Sequence, residues 1–372
     1  MKSIVIFITV LIFCFQGLYA QETELTSYQS KSVLQIKDSI NGANYDIQVF
    51  LPKDYSTEKK YPVIYFFDAN NNLLTNFYIT TIDALAYYNN IPKAILVGIN
   101  QNDRSKELGI LKDTESKGFI NFVRITLKNT IDKKYSTIGY NSYIGHSLGG
   151  QLLTYGFINY PQDFYSIITF SPALLYPDNR EIFDKEIITP LNVELKQKKE
   201  NTYYYCAVGN SGFQDSQFIN GVKEVENIFK NLDLNSLNYK FDYLDNYTHA
   251  ISPNGGLSNG LLFLFKDWIF TEDLAMKILM ENKIDGLEAL NDRLKIIKRK
   301  YNNKQISLPE TVYNNLYGNY FQKKDYKKAI EVLQLELELS NDKTIYSKIA
   351  ECYKELNNMK EYKKYIEKSG QK

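Results

Sequence analysis

Residues 142–159 run from a short apolar segment through Gly145-His146-Ser147-Leu148-Gly149-Gly150 into a helical stretch. No other segment constrains the fold as strongly. A turn this abrupt holds the serine backbone in a strained conformation. It also needs small residues two before and two after the serine, where side chains would collide with the neighbouring strand and helix. Gly145 and Gly149 meet that need. The segment therefore implies a strand inside a sheet, with a helix packed on it. Ser147 projects from the tip of the turn, and the helix beginning there aims its first N–H groups at the same point.

The surrounding sequence supplies such a sheet. Strands are expected at Val33–Lys37, Asp46–Leu51, Val63–Phe67, Ala94–Ile99, Ser142–Ile144, Ser166–Phe170, Thr202–Val208 and Tyr239–Leu244, mostly β-branched or aromatic runs flanked by Pro, Gly, Asn or Asp. The first two are joined by Asp38-Ser39-Ile40-Asn41-Gly42, which suits an antiparallel hairpin. The later strands are continuous apolar runs, the pattern of strands buried on both faces. Helical stretches between them include Asn121–Lys133, Gln151–Asn159, Gln217–Asn231 and Leu257–Ile269. The alternation predicts an α/β fold with a mostly parallel central sheet.

From about residue 271 the chain is Lys/Glu-rich, helical in pattern and free of strand signals. Tyr313, Leu316, Tyr320, Ala329 and Leu333 recur 33 residues later as Tyr346, Ile349, Tyr353, Tyr362 and Ile366. That period matches helix–turn–helix tetratricopeptide repeats. Two repeats are too few to stand alone, so a helix at Lys283–Tyr301 is expected to partner them. The expected organisation is residues 1–20, 21–270 and 271–372: a leader, an α/β domain and a small all-α domain.

The leader is read from Met1-Lys2-Ser3, the apolar run Ile4–Phe15 and the segment ending at Ala20. This is the charged, apolar and small-residue order of a secretory signal peptide, with cleavage expected after Ala20. The apolar run is too short to span a bilayer. Phe13 before Cys14 argues against a lipoprotein signal. The mature chain is thus expected to be periplasmic or secreted, without a membrane span. Cys206 and Cys352 are read as buried free thiols, a disulfide being the alternative. The balance of 44 Lys+Arg against 43 Asp+Glu gives no sign of a nucleic-acid binder. With 2 His and 3 scattered Cys there is no zinc-ligand spacing, and no cofactor or metal is expected.

A serine hydroxyl needs an adjacent base to act as a nucleophile. The chain has only two histidines. His146 is the backbone neighbour of Ser147 and cannot fold back onto it, which leaves His249, about 100 residues on and just after the last expected strand. Serine, acid, histidine is the order of α/β-hydrolases. Asp215, the only carboxylate between Asn201 and Lys223, is the candidate acid; the alternative is a serine–histidine pair with no conventional acid. Glu224 and Glu226 read as a solvated helix face. An oxyanion hole needs two backbone donors. The N–H of Leu148 is one; the other is assigned to the loop after Val63–Phe67, to Ala69 first and Asn70 second. Leu175, Tyr176 and Phe213 could line an apolar pocket or simply be core and surface residues, and the insertion Asp178–Lys199 is too short for a large lid.

Tyr61–Asp68, the Gly145–Gly150 turn, Phe170-Ser171-Pro172-Ala173-Leu174, and Thr248-His249 followed by Leu257–Trp268 together resemble the esterase family of α/β-hydrolases. That family includes S-formylglutathione hydrolases, feruloyl esterases, siderophore esterases and mycolyltransferases. The resemblance covers roughly residues 30 to 270, and the C-terminal segment resembles helical repeats appended to some bacterial members. It implies hydrolysis of a carboxylic ester through an acyl-enzyme, with Ser147 as nucleophile, His249 as base, and Leu148 and Ala69 as oxyanion donors. The implied partners are a small-molecule or glycan-linked ester and, at the helical repeats, a protein. One departure stands out: members often carry the acid within two or three residues of the glycine ending the preceding strand, where this chain has Asn210-Ser211-Gly212. A non-catalytic binding protein on the same scaffold, and an acyltransferase, are the competing classes.

Overall fold

Alternation along the strands divides the core in two. In the strand Tyr61–Phe67, Ile64 and Phe66 belong to one apolar cluster and Val63, Tyr65 and Phe67 to another. This is the period of two expected of a strand covered on both faces. The computed structural model describes residues 27–370, apart from residues 30, 41, 113–114, 195–200, 233, 282, 305, 339 and 341. The expected leader and its cleavage site lie outside the described residues.

Eight strands make one sheet: β1 (Ser32–Lys37), β2 (Asn44–Phe50), β3 (Tyr61–Phe67), β4 (Ile95–Ile99), β5 (Thr137–His146), β6 (Ser166–Phe170), β7 (Thr202–Ser211) and β8 (Leu237–Thr248). Their spatial order is β1-β2-β4-β3-β5-β6-β7-β8. β1 and β2 form the expected hairpin, with Val33 opposite Gln48 and Ile36 opposite Tyr45. β2 is antiparallel to β4, and every pairing from β4 to β8 is parallel. This is the sheet of an α/β-hydrolase fold.

Helices α1 (Asn72–Tyr87) and α4 (Ser252–Leu264) cover one face, through Tyr78, Ile82, Leu257 and Leu261. Helices α2 (Leu148–Asn159) and α3 (Phe213–Asn231) cover the other, through Leu152, Phe157, Val222 and Phe229. β7 shows how a Tyr-rich chain builds such a core. Tyr203, Tyr204 and Tyr205 are all buried. Each hydroxyl finds a partner: Asp267 at 3.0 Å, Thr154 at 3.0 Å and Asp242 at 2.6 Å.

Beyond the sheet the described chain is all-helical: α5 (Glu272–Leu279), α6 (Gly286–Lys300), α7 (Glu310–Gln322), α8 (Tyr326–Leu337), α9 (Lys343–Glu355) and α10 (Met359–Ser369). α9 and α10 start 33 residues after α7 and α8. Asp325 and Asn358 cap the second helix of each pair by accepting the N–H of Lys328 and of Glu361. The helices share a core with the sheet. Tyr301, fully buried, stacks on Tyr203 at 5.9 Å, meets Tyr140 edge-on at 5.1 Å and donates to the carbonyl of Leu264 at 3.2 Å. Asn201 and Asn302 exchange two hydrogen bonds of 2.8 and 3.0 Å. Cys206 and Cys352 are buried free thiols, as expected, and burial pushes each up to about 12.

Candidate active site

The turn between β5 and α2 puts Ser147 at φ 58° and ψ −116°, a region that residues with a Cβ seldom occupy. Hydrogen bonds hold it there. The Ser147 N–H donates to the carbonyl of Phe170 at 2.9 Å, and its own carbonyl accepts from Gln151 at 3.0 Å and Ala173 at 3.1 Å. The two flanking glycines differ in necessity. A Cβ at Gly145 would lie 2.5 Å from the backbone of Gly149, which cannot yield. A Cβ at Gly149 would meet only the Phe67 ring, at 3.3 Å. Gly150 is tighter, 3.0 Å from Pro172.

His249 follows directly on β8, and Asp215 lies in the first turn of α3. Gly212, at φ 93°, lets the chain reverse from β7 into that helix. The reversal brings an acid six residues beyond Gly209 back to the strand end. The Nδ1–H of His249 donates to Asp215 Oδ1 at 2.9 Å, which leaves Nε2 as the acceptor. Asp215 is fully buried, while the His249 side chain is 12% exposed. The second carboxylate oxygen of Asp215 is buried without a partner among the described residues. It presses on Gly209, where a Cβ would stand 2.3 Å away. Phe218 packs edge-on to His249 at 5.3 Å.

Sequence reasoning set His146 aside as a base and saw no other use for it. Its Nε2–H donates to the backbone carbonyl of His249 at 2.8 Å, and the two rings are 4.6 Å apart. Burial, reinforced by the His249 ring, pushes His146 down to about 4. Ser252 Oγ donates to the same carbonyl at 3.0 Å.

Ser147 and His249 line one open cleft of about 400 Å³. Its other walls are Asp68, Asn70, Asn71, Leu74, Arg104, His146 and Gln214. Asp68, at φ 61°, is gripped by Arg104 through bonds of 2.6 and 3.0 Å, and Arg104 also donates to the His146 carbonyl at 3.3 Å. Arg104 sits in no motif, so nothing in the sequence marked it.

The two backbone groups expected as the second oxyanion donor differ in what they bond. Ala69, expected first, is fully buried and donates its N–H to the carbonyl of Ile99 at 3.3 Å. Asn70, expected second, lines the cleft, and its N–H has no partner among the described residues. Leu148 starts α2, where a backbone N–H has no partner within the helix. The proposed pocket residues stand off the cleft wall. Tyr176 packs on Phe218 at 5.2 Å, Leu175 lies against Gly221, and Phe213 is 78% exposed. Among the described residues no cluster of three or more His, Cys, Asp or Glu could hold a metal ion, and no helix is long and apolar enough to cross a membrane.

A family profile described as "Putative esterase" matches residues 39–242, more than half of the chain. The chain belongs to this esterase family. As a member it is a carboxylic ester hydrolase. No curated protein matches it. Among solved structures, the esterase is similar to an uncharacterised protein from Capnocytophaga ochracea, with TM-score 0.64 and 16% identity over 91% of this chain and 93% of that one. It is similar to an IroE-like serine hydrolase from Shewanella oneidensis, with TM-score 0.64 and 16% identity over 84% and 100% of the two chains. A feruloyl esterase module from Clostridium thermocellum, complexed with sinapinate, matches 66% of this esterase and 92% of its own chain, with TM-score 0.50 and 16% identity. The first two coverages exceed what residues 1–270 could supply, so part of the helical segment is shared with those folds.

Proposed function

We propose that this esterase is exported and cleaves a carboxylic ester through a covalent acyl-enzyme. Ser147 Oγ attacks the ester carbonyl while His249 Nε2 takes its proton. The N–H groups of Leu148 and Asn70 stabilise the oxyanion, and Asp215 holds the imidazole in the right tautomer and favours the imidazolium as it forms. His249 then returns the proton to the leaving alcohol and activates water to release the acid. The observation that carries this reading is the 2.9 Å bond from His249 Nδ1 to a carboxylate with no exposure, in the cleft that also holds the strained Ser147. Such a bond aims the opposite nitrogen outward as a base.

The cleft supports a substrate class only broadly. Its walls are amides, a guanidinium–carboxylate pair and one leucine, which suits an ester with a polar acid or alcohol portion. The sinapinate bound to the similar feruloyl esterase module recommends aryl esters as the first compounds to try, and the resemblance to siderophore esterases adds macrolactones. The first 20 residues support export, and the recurrence of helix starts at 33 residues supports a tetratricopeptide-like unit over residues 271–372, appended to a hydrolase over 21–270.

The test is a panel of short-acyl, aryl and macrolactone esters on the mature chain. Ser147→Ala should lower turnover by roughly 10⁴–10⁶ and abolish labelling by a fluorophosphonate. Asp215→Asn should cost about 10²–10⁴. Undiminished hydrolysis by Ser147→Ala ends the proposal. The mass of the exported protein checks cleavage after Ala20.

A further inference from the structure

A second cavity, of about 260 Å³, opens between the start of β3 and the α7–α8 pair. The parallel strands begin at this end of the sheet; Ser147 and His249 sit where they finish, so the proposed mechanism makes no use of it. Part of its wall is apolar, formed by Ile91, Trp268, Ile306 and Leu308. Glu336 of α8 also lines it. This glutamate is only 5% exposed, and one of its carboxylate oxygens is buried with no hydrogen-bond partner among the described residues.

No nearby cation pairs with Glu336 among the described residues: Lys93 is bonded to Asp54 at 2.6 Å, and Lys60, also on the wall, is exposed to solvent. Lys59 is paired with Glu310, and Lys348 donates to Asn314 Oδ1 at 2.6 Å. Burial raises the Glu336 carboxyl to about 7; Lys348 and Lys59 oppose the rise, and Glu310 and Asp342 add to it. A buried carboxylate is costly unless a donor of opposite charge meets it. A ligand ammonium would supply both the missing hydrogen bond and the missing charge. Beside Glu336 itself an anion would be repelled by the carboxylate, and a neutral ligand would leave that carboxylate uncompensated. The volume falls below the ~300–1,000 Å³ of sites for drug-sized ligands, which limits the occupant to about one ring.

We propose that this cavity is a binding site for a small organic amine, whose ammonium group pairs with Glu336 and whose apolar body lies against Trp268, Ile306 and Leu308. Its walls come from both the sheet and the helical segment, so a bound amine joins the two.

Trp268 is the only tryptophan in the chain, and its fluorescence therefore reports on this cavity. The intact mature esterase is titrated with benzylamine, and with benzyl alcohol and benzoate as neutral and anionic probes of the same shape. Benzylamine should change Trp268 emission saturably at millimolar concentration or below. Benzyl alcohol should bind at least about tenfold more weakly, and benzoate should give no saturable change. Glu336→Gln should weaken benzylamine at least about tenfold and leave ester hydrolysis unchanged. Indifference to the charge of the probe, no saturable response to benzylamine, or equal benzylamine affinity in Glu336→Gln would each overturn the proposal. The probe comparison uses the unaltered chain and stands whether or not the variant folds.

Discussion

His146 shows how a side chain without a proton-transfer role can still set a rate. Its N–H ties the carbonyl of His249 to the end of the strand that carries Ser147, joining base and nucleophile by a single 2.8 Å bond. Held down to about 4, it stays neutral through the range in which esterases are assayed. His146→Leu should lower kcat by roughly 10–100-fold with little change in KM, because an ångström of misplacement is enough for such a loss. Gln, which keeps a donor, should restore much of it; equal kcat in Leu, Gln and wild type would refute the role. The same depressed group makes the fold acid-sensitive. The unfolded chain takes up this proton as pH falls below about 6.5 and the folded chain resists until about 4, so His146 stabilises fully above that window and loses its contribution on descending through it. Gly209→Ala is a second test at this scale. The new Cβ would stand 2.3 Å from Asp215 and 2.4 Å from the carbonyl of Tyr247, which must displace the acid. Activity should fall by about 10² while the far-ultraviolet circular dichroism is kept; an unimpaired variant would show that Asp215 can move without consequence. The sequence pointed to these three residues by different signals: Ser147 sits in the Gly145–Gly149 turn, His249 is one of only two histidines, and Asp215 is the only carboxylate between Asn201 and Lys223. Asn70 ranked second there because an oxyanion donor is a backbone N–H, and the sequence does not show that Ala69 spends its own on Ile99.

Elements were legible where one signal acted alone. The buried strands are unbroken apolar runs, and every expected strand is present, several with longer ends. α1 was not foreseen. Its stretch Ile79-Thr80-Thr81-Ile82 is β-branched and reads as strand, yet Tyr78, Ile82 and Ala86 share a buried helical face on the sheet, and tertiary packing overrides propensity. The start of α3 was missed for a related reason: Gly209–Ser216 has the composition of a loop, but only Gly212 takes a left-handed conformation, and helix begins at Phe213. In the C-terminal segment, the cap of α6 also serves as an inter-helix tie. Asp285 accepts the N–H groups of Leu287 and Glu288, both at 3.1 Å, and its other oxygen takes Lys328 of α8 at 2.7 Å. Asp285→Ala should destabilise by about 1–2 kcal/mol, the upper part of the range for a lost cap. Asp285→Asn should keep most of the cap and lose the ion pair. Chemical denaturation separates them, and an alanine variant as stable as wild type would mean the cap is dispensable.

At the scale of the whole molecule, sheet and helices share one core. The cluster that holds Ile64, Ile168 and Tyr205 of the sheet continues through Trp268 and Tyr301 to Leu316, Leu333 and Ile349. Removing residues 271–372 would uncover that side of it, so the truncated chain should aggregate, and a soluble, active truncation would contradict the shared core. The same junction contains Glu336, a buried acid with one unpartnered oxygen among the described residues. Its carboxyl titrates near 7 when folded, against 4.5 for an ordinary glutamate. Between those values the unfolded chain has released the proton and the folded chain still holds it. The folded state binds more protons, so stability falls as pH rises from about 4.5 to about 7 and then levels off. The full difference is of order 3 kcal/mol, at 1.36 kcal/mol for each unit. Glutamine keeps the shape and cannot ionise. Glu336→Gln should therefore match wild type near pH 4.5 and exceed it by a few kcal/mol at pH 8, measured by denaturant unfolding at both pH values. A gap that stays the same at both would show that the carboxyl is ionised or satisfied in the fold throughout, and the junction would then carry no pH dependence of its own.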